Sequence, residues 1–222
     1  MGPWLNGKEQ LQMKDLEILQ KMKQKKICGI IRKVTAAEAQ EITGALINGG
    51  VSIIEVAFNT PNAAEIIAIL KREYGDAVII GAGTVLDTET ARSAILAGAD
   101  FILSPTLHID VIRMCQKYNV LAVPGVFTPS EIIQAWEAGA RIVKVFPAVT
   151  LTPTFIKQVK GPLDQIEIMA VGGINEENAA DFLHAGACCV GVGSDIAGLR
   201  LLHQGGASLV SKKAKQLVQQ IM

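Results

Sequence analysis

Short apolar runs alternate with longer amphipathic segments along most of the chain. The runs are rich in Val, Ile and Cys, and each is followed by a segment in which apolar residues recur with helical spacing. Their continuous apolar character, without alternating polar positions, is typical of parallel strands that are covered by helices. The runs, in order, are ICGII, VSIIEVAF, AVIIGAG, DFILSP, VLAVPG, RIVKVFP, IEIMAVGG and CCVGVG.

This repeated strand–helix unit predicts an α/β fold, a single-domain (β/α)8 TIM barrel. The units follow one another without a linker or a change in composition, and barrels of this type often exceed ~200 residues as one domain. A doubly wound open sheet is the weaker alternative, because no G-x-G-x-x-G motif opens the first helix. We expect residues 1–222 to form one domain, with residues 1–25 as an extra N-terminal helix whose amphipathic part runs from about Glu9 to Lys23.

Composition argues against several functional classes. The 21 basic and 21 acidic residues balance, whereas nucleic-acid binding normally requires a basic surface. No apolar run approaches the ~18 residues of a membrane span, and the N-terminal segment lacks the apolar core of a secretory signal. The four cysteines form no C-x-x-C pair, so we interpret them as small apolar residues of a cytoplasmic protein. The histidines show no helical i, i+4 pair, and no metal site is indicated.

Two ionisable residues interrupt apolar strands near the ends where this fold places active sites. Lys144 lies in RIVKVFPA and Glu55 in SIIEVAF. Because side chains two apart on a strand share a face, Glu55 points the same way as Ile53, and Lys144 the same way as Ile142 and Phe146. We expect both ionisable groups to face the mouth of the barrel. A buried Lys–Glu ion pair that only organises the core is the structural alternative.

A buried lysine beside a carboxylate suits covalent carbonyl chemistry. In a dry pocket a fraction of the amine is neutral near pH 7, and a neutral amine attacks a ketone to form a protonated Schiff base. The iminium accepts electrons when the neighbouring carbon–carbon bond breaks, and Glu55 is the candidate for moving the protons. Arg32 and Thr84, at the ends of the first and third strands, are candidates for binding a substrate carboxylate. The alternative for Arg32 is a solvated charge at the end of a strand, and the alternative for Thr84 is a tight turn that caps the following helix.

Glycine-rich turns follow the last two predicted strands. The first is AVGGIN, with Gly172 and Gly173, and the second is GVGSD, with Gly193 and Ser194. Barrels often hold a phosphate at this position, because free backbone N–H groups and helix N-termini attract anions. The turns therefore predict a phosphate site, with turn geometry alone as the alternative.

Taken in order, a set of motifs resembles those of the class I 2-keto-3-deoxy-6-phosphogluconate (KDPG) aldolases, also called 4-hydroxy-2-oxoglutarate (KHG) aldolases. The resemblance runs from about Lys26 onward and rests on IIEVAFNTP, IIGAGTVL, FILSPTLH, AVPGVFTPSE, VKVFPA, AVGGIN and GVGSD. It implies a (β/α)8 barrel, no metal or other cofactor, and a homotrimer. It also implies cleavage of a phosphorylated keto-deoxy sugar acid to pyruvate and glyceraldehyde 3-phosphate, with cleavage of KHG to pyruvate and glyoxylate as a further activity.

The resemblance also implies roles for individual residues. Lys144 corresponds to the Schiff-base lysine and Glu55 to the acid–base glutamate. The implied substrate-binding residues are Arg32, Asn59, Thr84, Pro105 and Phe146, and the implied phosphate-binding residues are Gly172, Gly173, Gly193 and Ser194.

Three positions depart from the gluconate pattern, and alternatives of other kinds stay open. Asn59, Thr106 and Val171 differ from many gluconate-type members, and the chain resembles 2-keto-3-deoxy-6-phosphogalactonate (KDPGal) aldolases at some of these places. The two substrates differ in configuration at one hydroxyl-bearing carbon next to the bond that breaks, so a KDPGal aldolase is the first alternative. A sugar-phosphate isomerase or epimerase that uses Lys144 only as a charge, and a non-catalytic phosphometabolite-binding barrel, are the others.

Overall fold

A computed structural model describes residues 4–221 of the chain, and the side chains of residues 14–221. Its strands are β1 (Ile27–Ile31), β2 (Ile53–Ala57), β3 (Ile79–Gly83), β4 (Phe101–Leu103), β5 (Leu121–Val123), β6 (Gly125–Val126), β7 (Ile142–Val145), β8 (Glu167–Val171) and β9 (Cys189–Val192). Its α-helices are α1 (Trp4–Lys25), α2 (Ala36–Asn48), α3 (Ala63–Tyr74), α4 (Thr88–Leu96), α5 (Ile109–Lys117), α6 (Pro129–Glu137), α7 (Ala148–Lys160), α8 (Ala179–His184), α9 (Ser194–Ala197) and α10 (Leu199–Ile221). A short 3₁₀ helix spans Gly75–Ala77.

All strands run parallel and form a nearly closed barrel in the order β5-β4-β3-β2-β1-β9-β8-β7-β6. The two end strands are consecutive pieces of one chain segment that are separated only by Pro124. Proline has no N–H to donate to a neighbouring strand, so it interrupts the ladder. Its carbonyl still accepts a hydrogen bond of 2.8 Å from the Lys144 N–H. The segment thus joins β4 on one side to β7 on the other, and the ring closes through it.

Local chemistry sets the ends of several helices. The side chains of Thr35, Asp87 and Thr128 accept a backbone N–H three residues further on and cap α2, α4 and α6. After α4 and α6, the chain leaves the helix through Gly98 and Gly139, whose φ values of 94° and 99° suit glycine. These short-range signals set where α2, α4 and α6 begin and where α4 and α6 end.

The apolar residues form two layers on either side of the strands. The larger cluster fills the space between the strands and the surrounding helices. The smaller cluster fills the barrel interior, and α1 contributes Ile18, Leu19 and Met22 to it. Side chains of α1 also form ion pairs with residues at the amino-terminal ends of the strands, for example Lys23 with Glu167. The helix therefore closes the amino-terminal end of the barrel and leaves the opposite end open for a site.

The predicted fold is confirmed, with two differences in detail. The N-terminal helix begins at Trp4 instead of Glu9, and residues 1–3 of the predicted 1–25 helical segment lie outside the described residues. The fifth predicted strand is divided at Pro124, so the strands predicted sixth to eighth are β7 to β9. In the described part of the chain, no helix combines the length and apolar character needed to cross a membrane.

Candidate active site

Lys144 and Glu55 both lie inside the barrel. Lys144 is 5% exposed in the middle of β7, and Glu55 is 1% exposed in the middle of β2. Their same-face neighbours Ile142 and Ile53 belong to the interior cluster. The structure thus places both ionisable groups in the barrel interior, and their orientation toward its mouth stays a prediction.

Glu55 is tightly enclosed on the side of β3. A Cβ atom at Gly83 would overlap the Glu55 carboxyl group and lie 2.6 Å from its Cγ, so the glycine makes room for the carboxyl group. Oε2 of Glu55 is buried and has no hydrogen-bond partner among the described residues. A buried carboxylate oxygen without a partner is costly and is typical of sites that bind or protonate something.

Both charged groups affect the pKa of the buried Cys28 thiol. Burial raises the pKa of Cys28, the negative charge of Glu55 raises this pKa further, and the positive charge of Lys144 lowers it. Both ionisable groups are therefore close enough to act on one atom in the barrel interior. No Lys144–Glu55 contact within 4.0 Å occurs among the salt bridges of residues 14–221. The direct ion pair that served as the structural alternative is absent from this arrangement.

Phe146 lies beside the lysine amine, and Pro105 lies against the strand that pairs with the lysine. The Lys144 Nζ lies over the Phe146 ring, 4.9 Å from its centroid. Gly125 is the partner of Lys144 in the β6–β7 register. The backbone of Pro105 lies so close to Gly125 that a side chain there would overlap it. Two of the predicted substrate-binding residues thus border the strand segment that carries the amine.

Thr84 follows β3 with an unusual backbone. Its φ of 56° lies in the left-handed region, which costs a β-branched residue roughly 1–3 kcal/mol. Flanking hydrogen bonds hold this conformation: Phe58 N–H donates to Gly83 O at 2.8 Å, and Val85 N–H donates to Leu103 O at 3.1 Å. The bonds fix the half-buried Thr84 side chain at the carboxyl end of β3, one residue beyond the glycine that accommodates Glu55.

Arg32, Phe146 and both glycine turns line one cleft of about 490 Å³ at the carboxyl end of the barrel. Gly172 and Gly173 have φ values of 95° and 75°. A Cβ atom at Gly173 would overlap Val149, and one at Gly172 would lie only 3.0 Å from Phe146 and Pro147. Glycine is therefore required in the turn after β8 for both conformation and space. From the second turn, Gly193 and Ser194 line the same cleft, which brings together all four predicted phosphate-binding residues.

The remaining predicted residue, Asn59, lies beside this cleft. It is exposed and lines a neighbouring cleft of about 700 Å³. Lys33 lines both clefts, and Arg200 lines the first one. Neither cation was among the sequence-based candidates. The sequence signals used above were a polar residue in or next to an apolar strand and a glycine in a turn. Lys33 and Arg200 were not recognised, because in the sequence each resembles an ordinary solvated charge.

No cluster of three or more His, Cys, Asp or Glu residues suited to a metal ion occurs in the region that the structure covers. The candidate site therefore comprises a buried lysine and a buried glutamate in the barrel interior, and a cleft at the carboxyl end that both glycine turns line and where the sequence predicts an anion site (the anion cleft).

Comparison with known proteins identifies the family. The family model of the KDPG and KHG aldolases matches residues 18–212, which include every candidate residue named above. The chain belongs to this aldolase family. Its members are carbon–carbon lyases, and the chain is accordingly an enzyme of that class.

Named relatives in the aldolase family act on different sugar acids. The chain is 37% identical to 2-dehydro-3-deoxy-6-phosphogalactonate aldolase of Escherichia coli (strain K12) over 77% of the chain and 83% of the relative. It is 34% identical to 2-dehydro-3-deoxy-phosphogluconate aldolase of Treponema pallidum (strain Nichols) over 76% of the chain and 80% of the relative.

A solved aldolase structure matches the fold closely. It is KDPG aldolase from Legionella pneumophila with pyruvate captured at low pH as a covalent carbinolamine intermediate. It is similar with a TM-score of 0.81 and 28% identity, over 87% of this chain and 94% of that one. The likeness spans nearly the whole barrel.

Proposed function

We propose that this aldolase works by the class I, Schiff-base mechanism and cleaves KDPG to pyruvate and glyceraldehyde 3-phosphate. The observation that carries the proposal is the position of Lys144, which is buried in the barrel interior with Glu55. Among residues 14–221, Lys144 has no ion-pair partner that would repay its desolvation, but it has the enclosure that an amine nucleophile needs.

The first half of the reaction joins substrate to enzyme. The Lys144 Nζ attacks the C2 ketone of the substrate and gives a carbinolamine. Loss of water then forms the protonated Schiff base. Glu55, the carboxyl group in the same interior, moves the protons that these steps require. The Legionella protein described above was captured with pyruvate at the carbinolamine stage, and this supports the same chemistry at Lys144.

The second half breaks the carbon–carbon bond. Glu55 removes the proton of the C4 hydroxyl, the C3–C4 bond breaks, and its electrons pass to the iminium to form an enamine. Glyceraldehyde 3-phosphate leaves with C4 as its aldehyde carbon. Glu55 returns the proton to C3, and water releases pyruvate from Lys144. The unpartnered Oε2 of Glu55 supports this role, because it is available to a substrate hydroxyl.

The surrounding groups fit the two ends of such a substrate. We assign the pyruvyl carboxylate to Thr84 and Arg32, the reacting carbons to the space bordered by Pro105 and Phe146, and the phosphate to the glycine turns. Backbone N–H groups in turns of positive φ are suited to an anion. Gly172, Gly173, Gly193 and Ser194 lie in one cleft with Arg32 and Phe146, and this supports the assignment.

KDPGal is the second candidate substrate, and two observations favour it. Asn59 stands where many gluconate-type members have another residue, and it faces a cleft that adjoins the anion cleft. The relative from E. coli at 37% identity is a galactonate-type enzyme. Assays of KDPG, KDPGal and KHG side by side, each followed by pyruvate release, decide among the three. We expect kcat/KM to be highest for KDPG, and a higher value for KDPGal would reverse the order.

Trapping with borohydride tests the covalent mechanism. We expect incubation with pyruvate and borohydride to leave a reduced adduct on Lys144 that mass spectrometry of peptides locates. Lys144→Ala is expected to abolish both the adduct and turnover while the protein stays folded, because the change removes a charge from a cavity. Lys144→Arg is the matched control: it keeps a cation but forms no Schiff base. Release of pyruvate by the arginine variant would refute the covalent mechanism, because it would show that the residue acts only as a charge.

We also propose that the enzyme is a cytoplasmic homotrimer. Burial of Cys28, Cys115 and Cys189 as free thiols supports a reducing compartment. The exposed apolar side chains of Leu96, on α4, and Trp136, on α6, support a subunit interface. Light scattering on a sizing column is expected to give three times the chain mass of 23.6 kDa, and a monomer mass would refute the assembly.

A further inference from the structure

The turn after β1 holds a lysine in an unfavourable backbone conformation. Lys33 has a φ of 56°, in the left-handed region where residues other than glycine are uncommon. Strain of this kind persists only where surrounding contacts hold it, and it is concentrated at functional positions. The proposed function assigns roles to the neighbouring Arg32 and to the glycine turns, but none to Lys33.

One buried hydroxyl holds this turn. The backbone N–H of Lys33 donates to the Oγ1 of Thr60 at 2.8 Å. Thr60 is only 3% exposed, and its own N–H donates to Ala57 O at 2.9 Å. Because Thr60 follows Asn59 directly, the bond connects the turn after β1 to the loop that carries Asn59.

The side chain of Lys33 lies between two parts of the proposed substrate site. It lines the cleft of about 490 Å³ that contains both glycine turns, and also the cleft of about 700 Å³ that contains Asn59. Among the salt bridges of residues 14–221, none includes Lys33. The exposed side chain of Lys33 thus lies beside the anion cleft and has no ion-pair partner among the described residues.

We infer that Lys33 is a further substrate-binding residue, whose ammonium group binds the phosphomonoester of the substrate, and that Thr60 is its positioning residue. The inference rests on the proposed function, since it assigns the charged end of the same substrate. The glycine turns supply backbone N–H dipoles, and Lys33 supplies a full positive charge beside them. A charge-assisted hydrogen bond to a phosphate is stronger than a neutral one, so Lys33 would favour phosphorylated over unphosphorylated substrates.

The condensation direction tests this directly, because the aldehyde can be offered with or without its phosphate. For Lys33→Ala we expect the KM for D-glyceraldehyde 3-phosphate to rise about 10-fold, while the KM for D-glyceraldehyde changes by less than about 2-fold. Lys33→Arg is expected to restore most of the loss. Lys26→Ala is the matched control, because Lys26 has a φ of 60° at the other end of β1, away from both clefts. Equal changes for the two aldehydes, or no change for either, would overturn the assignment.

Variants of Thr60 separate positioning from general stability. Thr60→Val keeps the shape but removes the acceptor of the Lys33 N–H, and Thr60→Ser retains the acceptor. We expect the valine variant to raise the KM for the phosphorylated aldehyde about 3-fold without a matching rise for the unphosphorylated one. A lowered thermal midpoint with equal KM changes for both aldehydes would assign Thr60 a structural role only.

Two further measurements keep this inference separate from the proposed function. Borohydride trapping of pyruvate reports on Lys144 alone. A wild-type protein without an adduct would refute the Schiff-base mechanism but would not contradict phosphate binding by Lys33. Thermal stabilisation by inorganic phosphate reports on the anion cleft without turnover. We expect the concentration for half-maximal stabilisation to rise about 10-fold in Lys33→Ala; an unchanged value would refute the binding role of Lys33, whatever the outcome of trapping.

Discussion

Replacing Gly83 by alanine is expected to inactivate the enzyme through Glu55. The added Cβ would overlap the carboxyl group of Glu55 and lie 2.6 Å from its Cγ, whereas ordinary van der Waals contact lies at 3.4–4 Å. The Glu55 side chain must therefore turn away, and its Cγ alone must move by about 0.8 Å. The position of the carboxyl group in the barrel interior cannot be kept.

The magnitude follows from the displacement. A catalytic group misplaced by about 1 Å typically costs ~10²-fold in rate, and complete loss of general acid–base catalysis costs ~10²–10⁴-fold. We expect kcat of Gly83→Ala to fall within this range. Overpacking the interior is expected to lower the free energy of unfolding by about 1–3 kcal/mol, which leaves the protein folded at moderate temperature.

Gly81→Ala is the matched control. It lies two residues earlier on β3, and its Cβ would overlap the ring of Phe101 instead of Glu55. We expect a similar loss of stability in urea unfolding but a much smaller loss of kcat in an assay of pyruvate release.

A double-mutant cycle with Glu55→Asp adds a second check. The shorter aspartate moves the carboxyl group away from Gly83. Gly83→Ala should therefore lower kcat by a smaller factor in the Glu55→Asp enzyme than in the wild type. A Gly83→Ala enzyme with kcat within about 2-fold of wild type, or strictly additive effects in the cycle, would refute the reasoning.

Three other predictions concern the same interior and its surroundings. Glu55→Gln should lower kcat by ~10²–10⁴-fold in the pyruvate-release assay, and a negligible change would show that another group moves the proton. Met22→Ala, in the fully buried part of α1, should lower the free energy of unfolding by about 2–5 kcal/mol in urea; Leu16→Ala, at a 38% exposed position, is the control with a clearly smaller loss. Burial raises the pKa of Cys115 to about 12, so this thiol stays protonated at about pH 8. Iodoacetamide should therefore modify the half-buried Cys188 before Cys115, and the reverse order would contradict the burial of Cys115.

Much of the architecture follows from local sequence patterns. Continuous apolar runs mark strands that are covered on both faces, and residues such as Thr35 and Asp87 mark helix starts by capping free N–H groups. The alternation of side chains along a strand also places Lys144 and Glu55 on faces shared with apolar residues. These signals act between residues that are close in the chain, so they can be recognised before any tertiary contact is known.

Tertiary structure alone decided which distant residues share a site. The division of a strand at Pro124, the closure of the barrel by α1, and the meeting of Arg32 with the turns at Gly172 and Gly193 depend on how strands far apart in sequence pair around the ring. Lys33 carried no local signal, because an exposed lysine resembles any solvated charge until its backbone angle and its neighbours are known. Periodicity specifies which face of an element is buried. Only the closed barrel specifies which residues that face contacts. The contacts that form a site join residues that are far apart in the chain, and their distance in the chain does not predict their distance in the fold.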